Sequence, residues 1–305
     1  MKQSAYRILM ALILCIALCQ TNVYAQAPRS ALRNVLQNTA MRTRTQTGTA
    51  RYRSVPILSF HHLSEETGAD LTPASFEEYL RVLTENGFTS VLYENLIAFT
   101  NGEKPLPEKP VLITFDDGYA SNYDYAFPLL KKWNMKAEIA IVGSTVGCRI
   151  CRDTGAEIIP HFTWSQAREM IRSGLVSIHS HSYNLHQHSA TGQTVLRKGV
   201  QRIKGEREED YVRVLTTDTL TANRRIFNYL GYTNVVYTYP YGQHNDLSER
   251  VLEKLGIQVT VTNTPGISDI EWGNPESLRL LRRLPCDEND LDLLQVIQNA
   301  YRSIQ

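Results

Sequence analysis

The sequence predicts an α/β fold, a distorted (β/α)7-8 barrel of parallel strands with outer helices. Three observations carry that prediction. From Val55 onward, short apolar runs alternate with segments of helical period, and such alternation means parallel strands joined by helical crossovers. Runs such as "VLITF" (111–115) are apolar or β-branched throughout rather than apolar at every second residue, as suits a strand buried on both faces. Acids and histidines gather directly after these runs, where the C-terminal rim of a closed barrel places reactive groups.

Taken in order, "VPILSF" (55–60) reads as the first strand. Thr72-Pro73 then opens a helix, with a capping hydroxyl and a proline in the first turn, and Phe76, Tyr79, Leu80 and Leu83 give it one apolar face before Gly87 ends it. A strand at 89–92 and a short helix to Gly102 follow. The strand 111–116 leads into a helix through Tyr125, Leu129, Leu130 and Trp133. Further strands are read at 136–143, 175–181, 234–240 and 257–263, with helices near 165–173, 210–230, 248–255 and 288–301.

The N-terminus is of another kind. Lys2 and Arg7 precede an apolar run from Ile8 to Cys19, and "VYA" (23–25) follows, which is the layout of a secretory signal peptide cleaved after Ala25. The run is too short for a comfortable membrane span, so no transmembrane span is expected after cleavage, and the location is secreted or periplasmic. Residues 26–53 hold six arginines and no acid, with thin, unpatterned apolar content, and read as a basic flexible linker. One α/β domain then occupies 54–305. Lys+Arg (32) and Asp+Glu (31) nearly cancel over the chain, which argues against a nucleic-acid partner. A monomer is expected. Export permits a disulfide, and Cys148-Arg-Ile-Cys151 is either a local bridge or two free thiols, with no second pair at zinc-finger spacing. Cys286 reads as a buried small apolar residue.

The chemistry begins at "TFDDG" (114–118). Two adjacent carboxylates, Asp116 and Asp117, repel each other at the end of a buried strand, and a divalent cation beside them would relieve that cost. Histidine is the commonest partner for such an ion, and five of the eight histidines fall in two clusters: His61-His62, and His179, His181 and His186. His179 and His181 are placed with the acids at the strand ends.

Together "TFDDG" (114–118), "HSYNLH" (181–186) and "YPYG" (239–242) resemble the motifs of the NodB-type polysaccharide deacetylases, carbohydrate esterase family four, over roughly residues 55–300. The upstream "FHH" is similar to the circularly permuted branch that includes the poly-N-acetylglucosamine deacetylases. The resemblance implies one divalent ion, zinc by default and otherwise Co2+, Ni2+ or Fe2+, held by Asp117, His181 and His186. It implies Asp116 as general base, His61 as general acid with His62 as its competitor, and the backbone N–H of Tyr241 at the oxyanion. Tyr119, Tyr183 and Tyr241 would meet the sugar. Amide hydrolysis needs an activated water, a polarised carbonyl and a proton for the departing nitrogen, and the chain offers a candidate for each. No histidine follows His244, so a C-terminal acid is absent and His61 becomes necessary.

Two departures stand out. The family's third motif carries an arginine, which orients the base, where this chain has Tyr239; Arg282 or Arg283 could substitute from the next strand end, or both could be surface charge. The segment 144–164 is longer and more polar than a minimal barrel loop. The expected substrate is an acetylated, GlcNAc-containing polysaccharide of wall, matrix or exopolysaccharide. An O-acetyl esterase acting on xylan or another glycan, and a non-catalytic glycan-binding protein, are the alternatives. A Ser-His-Asp hydrolase is disfavoured because no G-x-S-x-G elbow occurs.

Overall fold

Proline 56 divides the first apolar run in two. Its ring has no N–H to give a ladder, and the chain forms β1 (Tyr52–Val55) before it and β2 (Ile57–Phe60) after it. β1 pairs antiparallel with β9 (Ser268–Glu271) in a small sheet of its own, whereas β2 enters the main sheet. Tyr52 and Arg53, the end of the basic segment, thus lie in a strand. The structure, a computed structural model, describes residues 51–66, 71–187, 197, 199–286 and 297. The signal-peptide reading, the basic segment up to 50, and all of the last helix except Ile297, which is helical and fully buried, lie outside the described residues.

Seven parallel strands close into a barrel. β2 is followed around the ring by β10 (Leu281–Pro285), β8 (Val259–Pro265), β7 (Val236–Thr238), β6 (Val176–Ser180), β5 (Ala137–Ile141) and β4 (Pro110–Phe115), and β4 returns to β2 through Ile57↔Leu112 to Phe60↔Phe115. The expected strand at 89–92 is only β3 (Thr89–Ser90), paired with the first two residues of β4 outside the ring. Its place is taken by "LRRLP", where the sequence suggests a strand end at Arg282-Arg283 but no strand bounds. Two adjacent arginines conceal the apolar pattern there, although Leu281, Arg283 and Leu284 are buried.

The helices follow their sequence signals closely. In α1 (Pro73–Glu85) the Thr72 hydroxyl accepts the Ser75 N–H at 3.1 Å, a cap worth about 1 kcal/mol. Phe76, Tyr79, Leu80 and Leu83 are all fully buried, each contributing roughly 1.5–3 kcal/mol. α2 (Tyr93–Thr100) follows β3, and a π-helical turn over Asn122–Ala126 runs into α3 (Phe127–Trp133). α4 (Trp164–Arg172), α5 (Glu208–Leu230) and α6 (Asp246–Lys254) complete the described set. α5 starts with three acids in its first turn, favourable to the helix dipole, and ends at left-handed Gly231. Among the described residues no helix is long and apolar enough to cross a membrane.

Candidate functional site

The strand ends at one mouth of the barrel deliver the site. β4 runs directly into Asp116 and Asp117, which are buried at 1 % and 7 % exposure. The chain turns sharply here: Asp117 has φ 70, Gly118 has φ 81, and the Gly118 N–H returns to the Asp116 carbonyl at 2.9 Å. A Cβ at Gly118 would lie 2.9 Å from the Ile141 side chain, so the glycine of "TFDDG" is required by space as well as by φ. Asp117 itself occupies a region that non-glycine residues enter at a cost, which is common where a side chain must be aimed.

β6 delivers His181, and the loop after it brings back His186. One ligand atom from each of Asp117, His181 and His186 lies within 4.8 Å of the other two. Asp117 Oδ1 stands 3.7 Å from His181 Nε2 and 3.5 Å from His186 Nε2. Ligand atoms on a tetrahedral zinc would be roughly 3.3 Å apart. Asp117 Oδ1 is buried with no hydrogen-bond partner, a costly condition that a cation among these three atoms would relieve. The donor set of one carboxylate and two imidazoles suits zinc or a similar divalent ion. His181 is oriented for this by its Nδ1, which lies 2.8 Å from the Thr238 carbonyl and leaves Nε2 toward the acids. Burial depresses its pKa to about 4 against the pull of Asp116 and Asp117, so the ring is neutral at pH 7, as a ligand must be.

Asp116 has a different environment. Arg283, at the centre of β10, gives it two parallel hydrogen bonds of 2.7 Å, Nη1 to Oδ1 and Nη2 to Oδ2. The same guanidinium donates through Nε to the Thr262 carbonyl at 3.0 Å and through Nη2 to the Asn263 side chain. Burial pushes the Asp116 carboxyl up, but the charge of Arg283 and its two hydrogen bonds outweigh it and hold the group well below the usual carboxylate range. Of the two arginines weighed in the sequence, Arg283 is thus the one that reaches Asp116. Tyr239 turns away, its hydroxyl donating to Glu249 at 2.6 Å.

His61 and His62 diverge as consecutive residues at a strand end should. His61 Nε2 is 3.8 Å from Asp116 Oδ2, and about half of its side chain is exposed. His62 faces Ser121, Nδ1 to Oγ at 2.9 Å, and meets the Tyr119 ring at 5.3 Å between centroids. Tyr119 also lies against His161, at 5.0 Å. Tyr241, at φ 57 in the turn after β7, stacks on His186 at 4.3 Å and donates its hydroxyl to the Gln187 carbonyl. Gly242 must follow it, since a Cβ there would meet the Asn263 backbone N at 2.7 Å. The Tyr183 ring has the guanidinium carbons of Arg152 and Arg225 at 5.6 and 5.8 Å.

His179 does not belong to this constellation. It lies within β6, two residues before His181, which directly follows the strand, and so sits one layer deeper into the barrel. There its Nε2 lies 2.9 Å from the Thr238 hydroxyl and its Nδ1 3.3 Å from Glu138, with the Tyr93 ring edge-on. Cys148 and Cys151 are free thiols, and Cys286 is half-buried rather than buried. The 144–164 segment is tied to the motif residues by backbone bonds from Phe162 N–H to the Gly118 carbonyl and from Ala120 N–H to the Pro160 carbonyl.

Comparison with known proteins shows what the chain as a whole is similar to. The family described as "Polysaccharide deacetylase" matches residues 103–260. YxkH of Bacillus subtilis (strain 168) is 28% identical over 226 residues, 74% of this chain and 70% of that protein. The poly-beta-1,6-N-acetyl-D-glucosamine N-deacetylase of Escherichia coli (strain K12) is 30% identical over 230 residues, 70% of this chain but only 34% of that one, so this chain aligns with about a third of that enzyme. The structure of a de-N-acetylase from Aggregatibacter actinomycetemcomitans superposes with a TM-score of 0.66 at 25% identity, covering 77% of this chain and 96% of that one.

Proposed function

We propose, for a chain that belongs to the polysaccharide deacetylase family, that it is a metal-dependent hydrolase removing N-acetyl groups from a GlcNAc-containing polysaccharide outside the cytoplasm. The observation that carries the reading is the convergence of Asp117 Oδ1, His181 Nε2 and His186 Nε2 beside an aspartate held by a buried arginine. The named relative from Escherichia coli supports poly-β-1,6-linked GlcNAc as substrate, and the signal-peptide layout of residues 1–25 supports export.

Asp117, His181 and His186 would hold the ion. When bound, it supplies Lewis-acid polarisation of the amide carbonyl and makes water easier to deprotonate. The remaining work falls to the chain. Asp116 Oδ2 lies 3.9 Å from His181 Nε2 and 3.8 Å from His61 Nε2, so it borders both the ligand trio and the exposed histidine. From there it takes a proton from the attacking water as the water oxygen bonds to the carbonyl carbon. Arg283 fixes both carboxylate oxygens, keeping Asp116 ionised and aimed, at some cost in basicity. His61 gives a proton to the nitrogen as the C–N bond breaks, releasing acetate and a free amine on the sugar. The Tyr241 N–H, in the turn packed on His186, is the donor assigned to the developing oxyanion.

Acetate release tests the reading. Zinc-loaded protein is incubated with poly-β-1,6-N-acetylglucosamine oligomers, chitooligosaccharides, peptidoglycan and acetylxylan, with and without a chelator. Chelator-sensitive release from an N-acetylated glycan is expected. Release from acetylxylan alone would make the protein an O-acetyl esterase, and release from none would leave the binding alternative.

A further inference from the structure

The two histidine ligands are joined by four residues, Ser182 to Leu185, and this bridge has an unusual anchor. Ser182 sits at φ 73, a conformation that costs a non-glycine residue energy unless its surroundings impose it. Each N–H of the bridge is satisfied by a side chain. Ser182 N–H donates to Ser180 Oγ at 3.1 Å, and Leu185 N–H donates to Ser182 Oγ at 3.0 Å. The two central N–H groups, of Tyr183 and Asn184, both donate to Asp218, one to each carboxylate oxygen, at 2.8 Å each. Asp218 lies in the middle of α5, is 8 % exposed, and is separated from the bridge by more than thirty residues of chain.

A carboxylate in such a place needs a reason. Its burial pushes the Asp218 pKa up to about 6, and only the two backbone N–H groups pull it back down. A helix that needed only to pack against the barrel would be served better by an apolar side chain. The two hydrogen bonds instead pin the bridge at its centre, two residues after His181 and two before His186. Further support comes from the flanks, where the Asn184 side chain bonds Ser144 and Asp153.

We infer that Asp218 is a positioning residue for the metal centre, clasping the backbone between His181 and His186 so that both Nε2 atoms face Asp117. The inference rests on the metal-binding reading of Asp117, His181 and His186. It predicts that the clasp governs metal affinity and coordination geometry, since groups that hold metal ligands in place are typically worth 10–100-fold in affinity.

The test titrates Co2+ and Zn2+ into full-length wild type and the Asp218→Asn variant, whose side chain keeps one acceptor but turns an NH2 toward the other N–H. Co2+ absorption reports geometry, and competition with a chelator reports affinity. The variant should keep the wild-type far-ultraviolet circular dichroism, bind both ions 10–100-fold more weakly, and show an altered Co2+ spectrum. Unchanged affinity and spectrum, even with a lowered Tm, would reduce Asp218 to a fold-stabilising residue and overturn the inference. Should the variant not fold, amide exchange in metal-free wild type decides: protection of the Tyr183 and Asn184 amides supports the clasp, and exchange at unstructured rates overturns it. A wild type that takes up neither ion would overturn the metal reading itself, a result distinct from a variant that merely matches wild type.

Discussion

Arg283 and Asp116 meet end-on, two hydrogen bonds of 2.7 Å joining a guanidinium and a carboxylate that are each 2 % exposed at the side chain. They are 167 residues apart in sequence, and closing the barrel between β2 and β10 brings them together. Such a buried pair is weak evidence for net stability, but breaking it is costly because the remaining charge has no partner.

Replacing Arg283 by Met should therefore destabilise the protein by about 3–5 kcal/mol. Chemical denaturation checks this. Adding Asp116→Asn to Arg283→Met should recover much of the loss, because the orphaned carboxylate is gone. Additive losses in the double variant would show that the two residues do not act as a pair. Arg283→Lys should rescue only partly, since a point charge cannot reproduce the two-pronged contact.

Why this arginine was hard to place from sequence is physical. Arg283 lies in "LRRLP", where two charged neighbours hide a strand whose inward residue is itself charged. The acids and histidines were legible because they follow plain apolar runs, and α1 was legible because its cap, its apolar face and its terminating glycine agree. The break at Pro56 had a visible cause in the missing N–H. His179 was misplaced because a motif gives spacing but not depth: two residues along a strand keep the face and change the layer. Asp218 carried no signal at all, being one acid on the long helix α5, and only the fold shows which N–H groups it meets.

The two strand-end histidines should differ sharply. His61→Ala is expected to reduce turnover of N-acetyl substrates by roughly 10²–10⁴-fold, as loss of a general acid does. Aryl acetates, whose leaving group needs no proton, should be affected far less. His62, which faces Ser121 and Tyr119, should tolerate Ala with little change in chemistry. Initial rates on both substrate types check the pair. A silent His61→Ala with a damaged His62→Ala would shift the assignment by one residue.

Asp218 should also leave a mark on stability against pH. Its folded pKa of about 6 lies above the carboxylate value of 3.8, so its contribution is fully present below pH 3.8 and is lost as pH rises through 6. Measured on metal-free protein, the stability of wild type relative to Asp218→Asn should fall by about 3 kcal/mol in all across the window set by the two values, 3.8 and about 6, and be flat about one pH unit beyond either end. Denaturation midpoints at half-unit pH steps provide the difference. A difference independent of pH would mean that the carboxyl does not titrate in this window.

In the proposed mechanism two neighbouring carboxylates have separate roles, Asp117 as metal ligand and Asp116 as base. The most direct measurement is metal content and acetate release for Asp116→Asn and Asp117→Asn side by side, each dialysed against zinc and then against metal-free buffer. That division of roles predicts that Asp116→Asn retains about one zinc per chain and loses turnover by on the order of 10²-fold or more, while Asp117→Asn loses both. Equal metal content and equal residual activity in the two variants would contradict it.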